Sequence, residues 1–173
     1  PIAWHAHEML FGYGAAALAG FVLTAIPNWT GRLPVSGRPL AILLAVWLAG
    51  RAASFTPETL GAPASAIVDA LFLPVLAFAV GREVVAGHNW QNLRVAVGVS
   101  ALAVLNAAFH VVVLAGGDTA LVLRGTVALY VTLICVVGGR IIPSFTRNYL
   151  ARRGETRLPA PMPGPWPTRP SAS

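Results

Sequence analysis

Apolar runs as long as a bilayer is thick dominate this chain, and proline, glycine or arginine cuts each of them off. A hydrocarbon core about 30 Å thick is crossed by roughly 20 helical residues. Five stretches approach that length, at about 4–26, 39–55, 63–85, 93–115 and 119–142. They are rich in Ala and Leu and lack apolar–polar alternation, so they predict helices; barrel strands would be about half as long. Charge agrees with this reading. Only 10% of the 173 residues are charged, against about 25% in a soluble domain. A chain with so little charge cannot clothe a water-facing surface, which excludes soluble enzyme folds. The expected class is all-α, a polytopic transmembrane helix bundle of about five spans.

Punctuation marks the spans. Pro27, Gly116-Gly117 and Pro143 are expected to close the first, fourth and fifth, and Pro74 to kink the third. The bundle occupies residues 1–157. Residues 158–173 hold six of the 14 prolines, show no apolar periodicity, and are expected to be a disordered tail. The sequence opens on Pro1 and enters an apolar segment at once, without the pattern of a signal peptide. It reads as a fragment of a larger protein, whose remainder would be a partner.

Arginine sets the orientation. The 12 basic residues are all Arg. Arg32, Arg38, Arg82, Arg94, Arg140, Arg147, Arg152, Arg153, Arg157 and Arg169 fall on one side of the five-span path; only Arg51 and Arg124 fall on the other. The positive-inside rule puts the first group in the cytoplasm and the N-terminus outside. Trp4, Trp29, Trp47 and Trp90 are expected in interfacial belts. The arginines are scattered and not interleaved with aromatics, so nucleic acid is not an expected partner; the lipid bilayer is. The single cysteine, Cys135, excludes an internal disulfide or a CxxC metal site and reads as an apolar filler.

This topology collects the polar residues at one depth. His5, His7 and Glu8 open the first span, Arg51 ends the second, Asp69 lies in the outer half of the third, and Asn106 and His110 in the outer half of the fourth. Ionisable groups inside a membrane cost about 2.5–3.5 kcal/mol or more, so their default reading is functional. His5 and Glu8 share a helical face with Gly12, Ala16 and Gly20, a small-residue stripe expected to face the bundle. His7 lies about 200° round from His5, on the stripe of Phe11, Gly14 and Leu18. Asn106 and His110 share a second inward face. His5, His7 and His110 are candidate metal ligands, with Glu8 as a hydrogen-bonding support or proton carrier. Asp69 reads as an ion-pair partner of Arg51 or Arg124. The turns at Pro27–Arg32 and Gly138–Arg147 read as headgroup anchors or anion clamps.

Four blocks carry a resemblance. Trp4-His5-Ala6-His7-Glu8-Met9-Leu10-Phe11-Gly12 and Gly20-Phe21-Val22-Leu23-Thr24-Ala25-Ile26-Pro27-Asn28-Trp29-Thr30-Gly31 are similar to the opening of the NnrS family. Trp47-Leu48-Ala49-Gly50-Arg51 and Gly138-Gly139-Arg140-Ile141-Ile142-Pro143-Ser144-Phe145-Thr146-Arg147-Asn148 resemble later blocks of it. The resemblance implies a multi-pass protein of the bacterial inner membrane with about twelve spans of roughly 20 residues each, of which this chain would cover the first half. It implies b-type haem and copper as cofactors, and protection against nitric oxide and nitrosative stress in denitrification. It makes His5 and His7 candidate ligands, because the His-x-His-Glu block is a family hallmark; His110 rests on depth alone. Nitric oxide is the small-molecule partner it suggests, bound or turned over. The competing reading is half of a transporter or channel, moving protons or a small solute through the polar outer-side cluster. A third is an assembly subunit without chemistry.

Overall fold

The computed structural model describes residues 2–153, and among these every regular element is helical. Five helices are long and apolar enough to cross a membrane: α1 (Ile2–Thr30), α2 (Arg38–Phe55), α3 (Ala62–Ala86), α4 (Trp90–Leu114) and α5 (Ala120–Arg152), the last over Ala120–Gly139. One helical turn, Pro57–Leu60, joins α2 to α3. The tail expected over 158–173 and the side chain of Arg140 lie outside the described residues.

Prolines redirect these helices differently from a simple stop. α1 runs through Pro27 and ends at Gly31, whose φ of 68° lets its N–H bond back to Pro27 O at 2.9 Å. A proline ring clashes with the carbonyl four residues earlier and supplies no N–H. For Pro74 that earlier residue is Ala70, and α3 is interrupted there: one helical segment ends at Ala70 and the next begins at Phe72. The interruption thus falls at Leu71, three residues before the proline and two after Asp69, and Leu71 itself keeps helical dihedrals (φ −71°, ψ −30°). α5 continues past Pro143 to Arg152, where the sequence suggested closure.

The chain divides into two compact units, the first ending at Leu133 and the second beginning at Ile134. Contacts within the first fix its helix directions. Trp4 packs edge-on against Phe55 at 5.4 Å, so the start of α1 meets the end of α2. Arg32 reaches Glu83 at 2.8 Å, so the far ends of α1 and α3 lie together. α2 and α4 therefore run against α1 and α3. Val22, Ile26, Leu73, Leu76, Val80, Val99 and Leu102 are fully buried between them. Ile42, Leu48, Phe78, Val104 and Val111 are exposed. A water-soluble bundle would not leave such faces bare; in lipid they cost nothing, and packing and polar contacts hold the helices instead. In the second unit the described residues stay helical to Arg152, and the Arg153 guanidinium lies 4.6 Å from the centre of the Tyr149 ring. Cys135, read as a filler, is exposed.

Two close approaches depend on glycine. A side chain at Gly50 would stand 3.3 Å from the Asp69 Cα, so the missing Cβ lets α2 lie against α3 at that point. One at Gly12 would collide with the Arg51 guanidinium. Gly20, counted with Gly12 on the expected inward stripe, faces open space.

At the far end of the bundle Glu83, buried, accepts from Arg32 and from Arg82, the latter at 2.7 Å. Arg32 of the Pro27–Arg32 turn is therefore engaged by a carboxylate. Trp47, expected at an interface, sits in mid-helix and donates to the Gly12 carbonyl at 3.1 Å.

Candidate metal centre

The polar residues of α1, α2, α3 and α4 meet at the end of the bundle where α1 begins. Asp69 stands at their centre, its side chain wholly buried. Its Oδ2 lies 2.8 Å from His110 Nε2, 3.2 Å from His7 Nε2 and 3.4 Å from Asn106 Nδ2. Its Oδ1 accepts from Arg51. The other side of the Arg51 guanidinium binds Glu8. Glu8 also accepts from Ser54 Oγ at 2.9 Å and lies 3.4 Å from His7 Nδ1. His7 Nε2 meets Asn106 Oδ1 at 2.9 Å.

Two carboxylates, one guanidinium and two imidazoles thus pair with each other inside an apolar shell, with Arg51 Nε the cluster atom left unpartnered among the described residues. A buried carboxylate without such partners would not stay charged. The offset is geometric as well as electrostatic, because the planar Arg fork serves both carboxylates at once.

Three side chains here could hold a metal ion. One ligand atom each from His7, Asp69 and His110 lie within 4.8 Å of one another. Two imidazoles and a carboxylate form the donor set used for iron with open positions, and imidazole equally suits copper. The same residues do not fit haem. The His7 and His110 rings are 5.0 Å apart and both direct Nε2 to the same Asp69 oxygen. Phe109 and Phe11 pack on His7 at 4.6 and 5.1 Å. No porphyrin face can enter between these rings without dismantling the cluster.

Of the residues expected from sequence, the structure brings together His7, Glu8 and His110. It places His5 apart: His5 is exposed, while His7 is buried. The inward stripe of α1 runs His7, Phe11, Ala15, Ala19, Val22, Ile26, with Ala16 half-buried and Gly20 exposed beside it. The phase differs from the expected one because Glu8–Gly14 is a π-helical segment. Its wider turn breaks the count of 100° per residue across it, so Glu8 and His7 both serve the cluster although they are sequence neighbours.

Two side chains from other helices hold that segment. Tyr130 OH donates to Leu10 O at 2.8 Å, and Trp47 Nε1 donates to Gly12 O. Gly14 leaves room for the tyrosine, since a Cβ there would stand 3.2 Å from its hydroxyl. Tyr130→Phe is expected to lower stability by about 1–3 kcal/mol, the cost of stranding a buried acceptor. Hydrogen exchange of the amides after Leu10 should quicken in that variant. Unchanged stability and exchange would show that the segment holds itself.

Asp69 and Asn106 are the residues that sequence reasoning left outside the ligand set. Of the two ion-pair partners expected for Asp69, Arg51 or Arg124, it is Arg51 that binds it, while Arg124 is exposed; the second oxygen of Asp69 faces both histidines. Its depth, shared with His7 and His110, was the available signal.

Beside the cluster lies a cavity of about 300 Å³, with His7, Asp69 and His110 among its lining residues and Trp4, Ala66 and Phe109 among its apolar ones. A family model described as NnrS protein matches residues 1–168. No curated protein matches the chain, and no solved structure does.

Proposed function

The chain belongs to the NnrS family, and from that premise we propose that it carries a buried copper centre of nitric-oxide defence in the bacterial inner membrane. The observation that supports this is the convergence of His7, Asp69 and His110, whose ligand atoms lie within 4.8 Å of one another. Copper bound there would supply a coordination site at which a small molecule such as nitric oxide binds and exchanges an electron. The chain's own residues do the rest. Arg51 fixes Asp69 from behind and leaves Oδ2 for the ion. Glu8 orients His7 through Nδ1, the outer-shell contact that sets an imidazole's tautomer and basicity. Phe11, Phe109 and the surrounding apolar helices exclude water.

Haem, the other cofactor of the resemblance, does not belong in this cluster. His5, exposed near the start of α1, is the histidine at this end of the bundle left for it. Arginine on the far side of the spans supports an orientation with this centre on the outer side of the membrane.

The test is metal analysis with electron paramagnetic resonance on purified protein. The wild type should carry a single copper, lost in His7→Ala, His110→Ala and Asp69→Asn and retained in His5→Ala. Glu8→Gln should weaken copper affinity about 10–100-fold. Copper retained after loss of both His7 and His110, or none in folded, copper-supplied wild type, would defeat the reading. The unbroken contact line Glu8–His7–Asp69–His110 favours one alternative, a proton path. Metal-free protein that carries protons across vesicle membranes would establish it.

A further inference from the structure

Ser65 stands one turn before Asp69 on α3 and lines the same cavity. It is 6% exposed, and its Oγ has no hydrogen-bond partner. Buried hydroxyls are rarely left this way, because an unmade bond in an apolar site is costly. The neighbouring polar groups are already engaged: Ser54 donates to Glu8, and His110 Nε2 is held by Asp69. Ser65 is the group that a ligand in the cavity would satisfy.

Size and lining narrow the ligand. A molecule as small as water takes about 30 Å³, a fraction of the roughly 300 Å³ available. Pockets for organic ligands begin at about this volume. Trp4 and Phe109 contribute aromatic surface, and Ala62, Ala66 and Val113 leave flat apolar space between them. Polar contacts come from Ser65 and, one helical turn along, from the Asp69–His110 pair. Four residues of helix rise about 6 Å, so Ser65 and Asp69 stand about one ring's length apart along the cavity wall. Trp4, Val113 and Leu114 are 42%, 47% and 49% exposed, so the pocket opens among helix ends where a lipid-dissolved molecule can enter.

We infer that this cavity binds the headgroup of a quinone or quinol, with Ser65 Oγ hydrogen-bonded to one ring oxygen and the His110–Asp69 pair at the other. His110 and Asp69 are shared with the proposed copper centre, whereas Ser65, Trp4 and Ala62 are not; titration of metal-free protein with variants at those three positions therefore separates this inference from the copper reading.

Full-chain protein in quinone-free phosphatidylcholine nanodiscs, metal-loaded and metal-free, is titrated with decylubiquinone while tryptophan fluorescence is followed. The wild type should show saturable quenching that Trp4→Phe removes. Ser65→Ala should weaken binding about tenfold, the worth of a buried hydrogen bond. Ala62→Phe, at an exposed position on the cavity rim, should abolish it. Both variants should unfold at the wild-type temperature. Quenching that rises linearly with membrane quinone, or saturable binding unchanged in Ser65→Ala and Ala62→Phe together, would overturn the inference.

Discussion

Asp69→Ala should destabilise the protein by about 3–5 kcal/mol, the usual cost of removing one member of a buried charge pair. The side chain is wholly buried and faces Arg51, His7, His110 and Asn106 together. Its removal leaves Arg51 with Glu8 alone and both imidazoles without their shared acceptor. The low dielectric that strengthens these contacts makes each stranded group costlier. Asp69→Asn keeps the volume and some of the hydrogen bonds, so it should fall between the alanine variant and wild type. Reversible unfolding of the purified protein in detergent, followed by circular dichroism, measures both. An alanine variant within about 0.5 kcal/mol of wild type, the range of an ordinary surface change, would mean that Asp69 does not organise this end of the bundle.

Arg51→Ala should cost a similar amount for the opposite reason. The guanidinium is the one cation among the described residues that bridges Glu8 and Asp69. Without it two carboxylates face each other across a space that water reaches poorly. Arg51→Lys should rescue little, since an ammonium cannot present the planar fork that meets two carboxylates at once. The double variant Arg51→Ala/Asp69→Ala should be less damaged than the sum of the singles, because both members of the ion pair leave together. A double-mutant cycle reads this directly. Additivity within about 0.3–0.5 kcal/mol would show that the two residues do not act as a pair.

Both substitutions bear on the metal reading without depending on it. Each should also lower copper occupancy, Asp69 as a ligand and Arg51 through the position of Asp69. The stability effects are expected even in protein stripped of metal, so a null result for copper leaves them standing.

How far the sequence carries can be followed on single residues. The five spans were legible because lipid allows no unpaired backbone, so a long apolar run has to be a helix wherever neighbours leave it. The gathering of His7, Glu8, Arg51, Asp69, Asn106 and His110 at one end was legible as well. Once chain direction alternates, position along a span becomes depth. The hydrophobic pattern could not reveal which side of each helix faces inward. Apolar residues cover all sides of a membrane helix, so burial leaves no stripe in the sequence; Ile42 and Val104 are exposed while Leu43 and Leu102 are buried.

The tertiary structure decided the rest. His5 and His7 exchange the roles that regular counting assigned, because the π-helical turn at Glu8–Gly14 resets the phase of α1. That turn is held by Tyr130 and Trp47, residues 120 and 35 positions from their acceptors, a distance no local pattern can span. Asp69 became the hub because the break at Ala70–Phe72 and the bare Gly50 bring α2 and α3 together beside it. Length, composition and alternation determined that this chain crosses a membrane and how deep its charges lie. Which charges meet was settled by helix packing, where a missing Cβ or one widened turn moves a side chain from lipid to core.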